Sequence, residues 1–288
     1  MKGIILASGI ASRLFPITLC ITKQLLPIYD KPMIYYPIST LMMGGIQDIV
    51  IIVSPNQMEN FINLLGDGSQ FGVNISYRVQ KEANGLPEAF VICEDYIKDN
   101  NVALILGDNI FYGQEFNKEI EKDFKNEKDS TVFLYNSLEP ERFGVAEISK
   151  NGKLISIEEK PKNPKSNYIV TGLYIYDKNV SYYSKSLRKS LRGETEISDL
   201  NNIYIKEGKL NYKILNNKVS WFDTGTTESL FSACNYVRNL YETENVRISV
   251  LEEIAYKNKW ITYEQVLKQS IKYKNSSYGK YLNKIILK

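Results

Sequence analysis

Short apolar runs at residues 4–6, 49–53, 102–106 and 131–134 read as strands. Between the first two, Ile38, Leu41, Met42 and Gly45 fall in a helical stretch, and another around Phe90, Val91 and Tyr96 precedes the third. Strands alternating with helices predict βαβ units. The expected fold is α/β, a mixed but mostly parallel Rossmann-like sheet flanked by helices, with ligands at the carboxyl edge of the strands. After about residue 140 the pieces shorten, with strands at 145–148 and 153–157 joined by Asn151-Gly152 as a hairpin turn. Thr226 reads as a helix N-cap, because Leu230, Ala233, Cys234 and Val237 follow on one face. We therefore expect a core over residues 1–240, with a second lobe from about 140, and a helical extension over 241–288. The extension is amphipathic in places and is expected to pack on the core, an oligomer contact or effector site being its other use.

Composition narrows the chemistry. The chain has 288 residues, 43% hydrophobic, enough to bury a core, and its net charge of +3, without a basic stripe interleaved with aromatics, speaks against nucleic acid as a partner. Cys20, Cys93 and Cys234 have no metal-like spacing and are expected to be buried, reduced thiols. No signal-like region opens the chain, and no apolar run approaches the ~18 residues that span a bilayer, so the expected location is cytoplasmic, away from membranes. Histidine is absent altogether. That removes imidazole bases, Ser-His pairs and histidine metal ligands, and it favours transfer to a phosphate that arrives already ionised.

The first apolar run ends in Ala7-Ser8-Gly9-Ile10-Ala11-Ser12-Arg13, a loop nearly free of bulky side chains, and Lys23 follows ten positions after Arg13. Such a loop lets backbone N–H groups approach a polyphosphate while cationic side chains neutralise it, although similar turns also serve ordinary strand-to-helix connections. It matches neither G-x-x-x-x-G-K-[ST] nor G-x-G-x-x-G, so a Rossmann dehydrogenase is a distant reading.

What these residues resemble is the signature of the sugar-1-phosphate nucleotidylyltransferases, L-A-G-G-x-G-T-R-L followed by K-[QP]-[LM]-[LV]-P and [DN]-K-P-[ML]; here Lys23-Gln24-Leu25-Leu26-Pro27 and Asp30-Lys31-Pro32-Met33 fill the later positions. Leu65-Gly66-Asp67-Gly68-Ser69, Leu106-Gly107-Asp108-Asn109, Glu141-Arg142-Phe143-Gly144-Val145, Glu158-Glu159-Lys160-Pro161, Val170-Thr171-Gly172-Leu173-Tyr174 and Trp221-Phe222-Asp223-Thr224-Gly225-Thr226 continue it in order over about 230 residues. Leu251-Glu252-Glu253-Ile254-Ala255 and Tyr278-Gly279-Lys280-Tyr281-Leu282 resemble the short form of the members that join a deoxythymidine nucleotide to glucose 1-phosphate.

The resemblance implies the nucleotidyltransferase fold and conversion of dTTP and glucose 1-phosphate into dTDP-glucose and pyrophosphate. It implies catalytic roles for Arg13, Lys23 and Asp108, and nucleotide binding by Ser8, Gly9, Ala11, Ser12, Arg13, Gln80, Gly85 and Asp108. Gln80 would pair with the pyrimidine edge, and Gly85 would leave room for the ring. Gly144, Glu159, Lys160, Val170, Tyr174 and Arg192 would face the sugar phosphate, and Asp108 and Asp223 would hold Mg²⁺, which favours one or two protein carboxylates with phosphate oxygens and water. A homotetramer with a feedback site for a deoxysugar nucleotide is also implied.

Departures from the pattern mark where the analogy is weakest. Ser8, Ala11 and Ser12 replace two glycines and a threonine of the signature loop, and alanine is unfavourable if position 11 needs positive φ. Relatives carrying an A-T-R version of the loop imply that this strain is avoidable. Pro87 and Glu88 stand where the family has a small residue and a glutamine, placing a carboxylate near a polyanion. The alternatives are a uridylyltransferase, an enzyme for another hexose 1-phosphate, and a catalytically impaired nucleotide-sugar-binding regulator.

Overall fold

The computed structural model describes residues 1–125 and 130–287. Its described strands are β1 (Lys2–Ala7), β2 (Pro27–Ile28), β3 (Lys31–Pro32), β4 (Asp48–Val53), β5 (Asn74–Val79), β6 (Val102–Leu106), β7 (Asn109–Tyr112), β8 (Ser130–Asn136), β9 (Gly144–Ile148), β10 (Leu154–Glu159), β11 (Tyr168–Tyr176), β12 (Leu210–Ile214) and β13 (Ser220–Asp223). Nine of these form one sheet in the order β10, β9, β11, β6, β1, β4, β5, with β8 also on β11 and β12 on β8. The run β6, β1, β4, β5 is parallel throughout. β11 turns antiparallel against β6 and carries the sheet into the part of the chain after residue 140. Strands β9 to β12 thus continue the first sheet, β13 pairs with β7 apart from it, and the Asn151-Gly152 turn joins β9 to β10 with Gly152 at φ 76°.

Why the central strands read as unbroken apolar runs is visible in β4. Ile49, Ile51 and Val53 face one core with Ile5, Ala7 and Ile105, while Val50 and Ile52 face a second with Ile4, Val102 and Leu104. Side chains alternate across a strand, and helices cover both faces of a parallel sheet, so neither set can be polar. Burying each such aliphatic side chain contributes roughly 1.5–3 kcal/mol.

The order of strands also fixes where a ligand belongs. β4 follows β1 on one side and β6 lies on the other, so the crossovers leave β1 in opposite directions and open a crevice at its carboxyl end. The Ser8–Ser12 loop leaves β1 there, and Gly107-Asp108 leaves β6 there.

The helix Thr227–Glu244 begins as the sequence predicts. The Thr226 side chain accepts from the Ser229 N–H at 3.2 Å, and the Ser229 hydroxyl completes a capping box. This helix runs across residue 240. Beyond it, helices Leu251–Lys257, Tyr263–Lys272 and Ser277–Ile286 place Leu251, Ala255, Val266, Tyr278 and Leu282 in the same core as Ile5 and Ile51. The Tyr278 hydroxyl donates to buried Glu252 at 2.5 Å, and Arg247 pairs with Asp30 at 2.9 Å, so polar links as well as apolar packing hold the extension. The cysteines correct one expectation: all three are free and Cys93 is buried, but Cys20 is exposed and Cys234 half-buried, because Cys20 lies on the open side of the loop region. Among the described residues no helix is long and apolar enough to cross a membrane.

Candidate active site

A cavity of about 200 Å³ opens at this crevice, and Asp108 and Asp223, far apart in the chain, both line it. Two ladders bring them together. β13 pairs antiparallel with β7, which sets Asp223 opposite Asn109, and the Thr224 N–H and hydroxyl both donate to the Asp108 carbonyl, at 3.1 and 2.8 Å. Asn109 ties the same corner to β11: its Oδ1 accepts from the Gly172 N–H at 3.0 Å and from the Trp221 indole at 2.7 Å.

The two carboxylates differ in electrostatics. Burial opposes ionisation of Asp108, but the charge and hydrogen bond of the contacting Lys23 ammonium outweigh it and hold this carboxyl below the usual range. Asp223 is pushed up to about 6, first by burial and then by the charge of Asp108, against the pull of Lys23, Arg13 and Arg142. Two hard oxygen donors whose negative charges oppose one another, beside a cavity, form a donor set that fits a divalent cation such as Mg²⁺. Among the described residues no group of three or more His, Cys, Asp or Glu forms a metal site, so the remaining ligands would come from substrate and water.

Arg13 lines the cavity beside Asp223. A Cβ built on Gly225 would lie 2.6 Å from the Arg13 Nη2 and 3.2 Å from the Asp223 Oδ1, so the bare backbone at 225 makes the space in which the guanidinium sits. In the loop before it, no backbone N–H of Gly9, Ile10 or Ala11 donates to another group among the described residues, and Gly9 has open space around its α-carbon. These donors are free for an anion.

Position 11 does take positive φ: Ala11 adopts φ 54°, ψ 43°, the left-handed region, so the strain is present. It persists because the Ala11 carbonyl is held by the Thr18 hydroxyl at 2.9 Å and the Leu14 N–H at 3.0 Å. Ala11→Gly relieves about 1 kcal/mol; a rise of roughly 2 °C in the thermal midpoint is the expected result, checked by differential scanning calorimetry.

At the opposite wall Gly144, Glu159, Lys160, Val170 and Tyr174 line the cavity. The Glu159 Oε2 accepts from the Ser198 hydroxyl at 2.6 Å, and its Oε1 lies 4.0 Å from the Lys160 Nζ. Lys160 itself is at φ 46° with its N–H on the Phe143 carbonyl at 3.0 Å, which turns the half-exposed ammonium over the mouth. Arg192 is not among the residues lining the cavity; its guanidinium lies 3.6 Å from Glu159 and 3.5 Å from Glu196, so it reaches the site through Glu159.

Ser8, Gly9, Ala11, Ser12, Lys23, Gln80 and Gly85 also stand outside the cavity lining, on the loop side of the crevice, and Leu86 connects the Gln80 segment to it. The backbone itself requires glycine at 85: φ is 110°, and a Cβ there would lie 2.0 Å from the Thr195 carbonyl. Sequence reasoning passed over Asn109, Arg142, Phe143, Thr171, Ser198 and Trp221 as site residues, although all but Ser198 lie within motifs it had singled out.

Comparison with known proteins sets this geometry in context. A family model described as nucleotidyl transferase matches residues 2–239. A glucose-1-phosphate thymidylyltransferase of Neisseria meningitidis is 49% identical over 288 residues, 100% of both chains. One from Mycobacterium tuberculosis is 46% identical over 286 residues, 99% of both. Among solved structures, a Bacillus anthracis protein provisionally named a glucose-1-phosphate thymidylyltransferase, in complex with sucrose, is similar at a TM-score of 0.76 and 45% identity, covering 83% of this chain and 96% of that one. A UDP-glucose pyrophosphorylase complexed with UDP-glucose shares the fold at a TM-score of 0.73 and 23% identity, over 83% of this chain and 98% of its own.

Proposed function

The chain belongs to the nucleotidyl transferase family, and from that premise we propose that it is a glucose-1-phosphate thymidylyltransferase, transferring the deoxythymidylyl group of dTTP to glucose 1-phosphate. The observation that carries this reading is the meeting of Asp108, Asp223, Arg13, Glu159 and Lys160 around one cavity at the switch point of the sheet. Relatives of that name match nearly the full chain. A binding-only regulator has no need of a carboxylate pair and two cations gathered at one point.

The reaction is a direct in-line displacement. A phosphate oxygen of glucose 1-phosphate attacks the α-phosphorus of dTTP, the bond to the β-phosphate breaks, and pyrophosphate leaves with the electron pair. The nucleophile is ionised on arrival, so no side chain has to remove a proton, in keeping with a chain that lacks histidine. The free N–H groups of the Gly9–Ser12 loop hold the β- and γ-phosphates. Arg13 neutralises charge as pyrophosphate departs, and Lys23 does the same near the α-phosphate. Lys160 takes the sugar phosphate, and Glu159 the sugar hydroxyls. Mg²⁺, held by Asp108 and Asp223, would offset the repulsion between the two anions when bound. A covalent nucleotidyl-enzyme has no place in this scheme, and radiolabel from dTTP retained on denatured protein would contradict it.

The raised Asp223 carboxyl gives metal binding a pH dependence. Below about pH 6 the folded protein holds this group protonated, and a carboxylate must lose its proton to ligate. Mg²⁺ affinity is therefore expected to fall about tenfold per pH unit below that point. Without metal, the group's contribution to stability is present at low pH and declines as pH rises through about 6, since ionisation is disfavoured in the fold. The thermal shift produced by Mg²⁺ should accordingly be larger at pH 8 than at pH 5, and Asp223→Asn should flatten the difference.

Homotetramer formation and feedback by a deoxysugar nucleotide belong to the same proposal. Cavities of about 480 and 590 Å³, sharing Arg247, Glu253, Lys257 and Tyr281, adjoin the C-terminal helices and offer room for such an effector. Substrate choice is tested by pyrophosphate release from dTTP and UTP against several hexose 1-phosphates. The expected result is highest kcat/KM for dTTP with glucose 1-phosphate; equal turnover of other pairs would overturn that assignment.

A further inference from the structure

Two of the residues that depart from the family pattern, Ser8 and Glu88, meet on one side chain. The Ser8 hydroxyl donates to the Gln80 Oε1, and the Gln80 Nε2 donates to the Glu88 Oε2 at 2.6 Å. Gln80 is 5% exposed, so these contacts are made away from bulk water. The chain of bonds continues outward. The Asn84 Nδ2 donates to the other Glu88 oxygen at 2.9 Å, and the Asn84 Oδ1 accepts from the Lys189 ammonium at 2.7 Å.

Each amide in this chain has its direction forced by chemistry. An ammonium only donates and an ionised carboxylate only accepts. Asn84 must therefore turn its oxygen to Lys189 and its nitrogen to Glu88, and Gln80 must turn its nitrogen to Glu88 and its oxygen away. The second Gln80 Nε2 hydrogen goes to the Gly85 carbonyl at 3.3 Å. With both hydrogens committed, Gln80 has only acceptor capacity left, one lone pair on Oε1 beside the Ser8 contact. A glutamine at position 88, as in the family pattern, carries both a donor and an acceptor and would allow either orientation.

We infer that Glu88 is a specificity-setting positioning residue: it fixes Gln80 as a hydrogen-bond acceptor, selecting pyrimidine bases that carry an N3–H over those that present a bare N3. This rests on the thymidylyltransferase reading and on the role for Gln80 that the sequence resemblance implies, pairing with the pyrimidine edge. Thymine and uracil donate from N3 and satisfy the acceptor. Cytosine places its own lone pair there and leaves two acceptors facing each other. The relay therefore separates dTTP and UTP from dCTP, and leaves the choice between dTTP and UTP to other contacts.

The test compares kcat/KM for dTTP and dCTP in the wild type, Glu88→Gln, Glu88→Ala and Gln80→Ala, with thermal midpoints measured alongside. Glu88→Gln keeps the size of the side chain and frees the amide to turn. The dTTP-to-dCTP ratio should fall by about tenfold or more, through KM, with kcat for dTTP within about twofold of wild type. Glu88→Ala should lower the ratio as well, and dissociation constants for the two nucleotides measured by calorimetry give the same comparison where turnover is low. A ratio that falls in Gln80→Ala but holds in both Glu88 variants overturns the inference and leaves the reading of Gln80 intact. A ratio that holds in Gln80→Ala overturns both. A loss shared equally by the two nucleotides in the Glu88 variants, tracking a lowered midpoint, would show a structural role alone and also overturns it.

Discussion

Asp108→Asn is expected to lower kcat/KM for dTDP-glucose formation by on the order of 10³-fold, without unfolding the protein. The carboxylate is buried against Lys23 and shares a cavity with Asp223. Removing its charge leaves one acid where two are needed to offset the cations and hold a divalent ion. Stability should respond differently in the two obvious variants. In Asp108→Asn the amide oxygen can still accept from Lys23, although its NH2 then faces the Asn109 Nδ2, a loss of about 1–3 kcal/mol, whereas Asp108→Ala strands a buried ammonium, a loss of about 3–5 kcal/mol. Steady-state kinetics with denaturant unfolding separates the effects: an asparagine variant more stable than the alanine variant and nearly dead in turnover is the predicted pair of results.

Arg13→Ala should lower kcat by about 10²–10³-fold, with a smaller change in KM for glucose 1-phosphate. Its guanidinium lies next to Asp223 and opens into the cavity, at the start of the 3₁₀ turn Ser12–Leu14 that ends the phosphate loop. A planar fork with several donors matches phosphate oxygens in a way that a single ammonium cannot, so Arg13→Lys should recover little. Gly225→Ala gives an independent check. Its methyl would meet the mobile end of Arg13 rather than backbone, so it should displace the guanidinium, lower kcat, and leave the thermal midpoint almost unchanged.

How much of this was legible in the sequence depended on whether a residue's role was local. The central strands announced themselves, because a strand covered on both faces has no polar positions, and Ile49 to Val53 contain none. Thr226 was legible as a cap for the same reason: its signal and its effect lie within four residues. β5, β12 and β13 were not, since Asn74–Val79 and Leu210–Ile214 mix exposed and buried positions, Ser220–Asp223 is half-buried throughout, and all three owe their pairing to distant partners. The mixed, mostly parallel reading holds: β6, β1, β4 and β5 run parallel and β12 lies parallel on β8, while β11 supplies antiparallel pairing.

At the site, Asp108 lies in the small turn after β6 and Asp223 ends β13 before another, a feature visible in the chain. Their proximity depends on the pairing of β7 with β13, which no local pattern encodes. Asn109 and Ser198 were passed over because they act on neighbours far away in sequence, Asn109 by clamping Gly172 and Trp221, Ser198 by holding Glu159. The pairing of Arg192 with Glu159 and the Thr195 carbonyl that excludes a side chain at Gly85 were not legible, because each partner lies far away in sequence.

Under the proposed function, Asp108 and Asp223 would together hold a divalent cation that offsets the charge of two anionic substrates. Pyrophosphate release from dTTP and glucose 1-phosphate, followed first with chelator in excess and then with Mg²⁺ restored, tests it most directly. Turnover should vanish under chelation, return with Mg²⁺ in the wild type, and fail to return in Asp108→Asn or Asp223→Asn at the same metal concentration. Undiminished turnover in chelator, or full recovery in either variant, would contradict it.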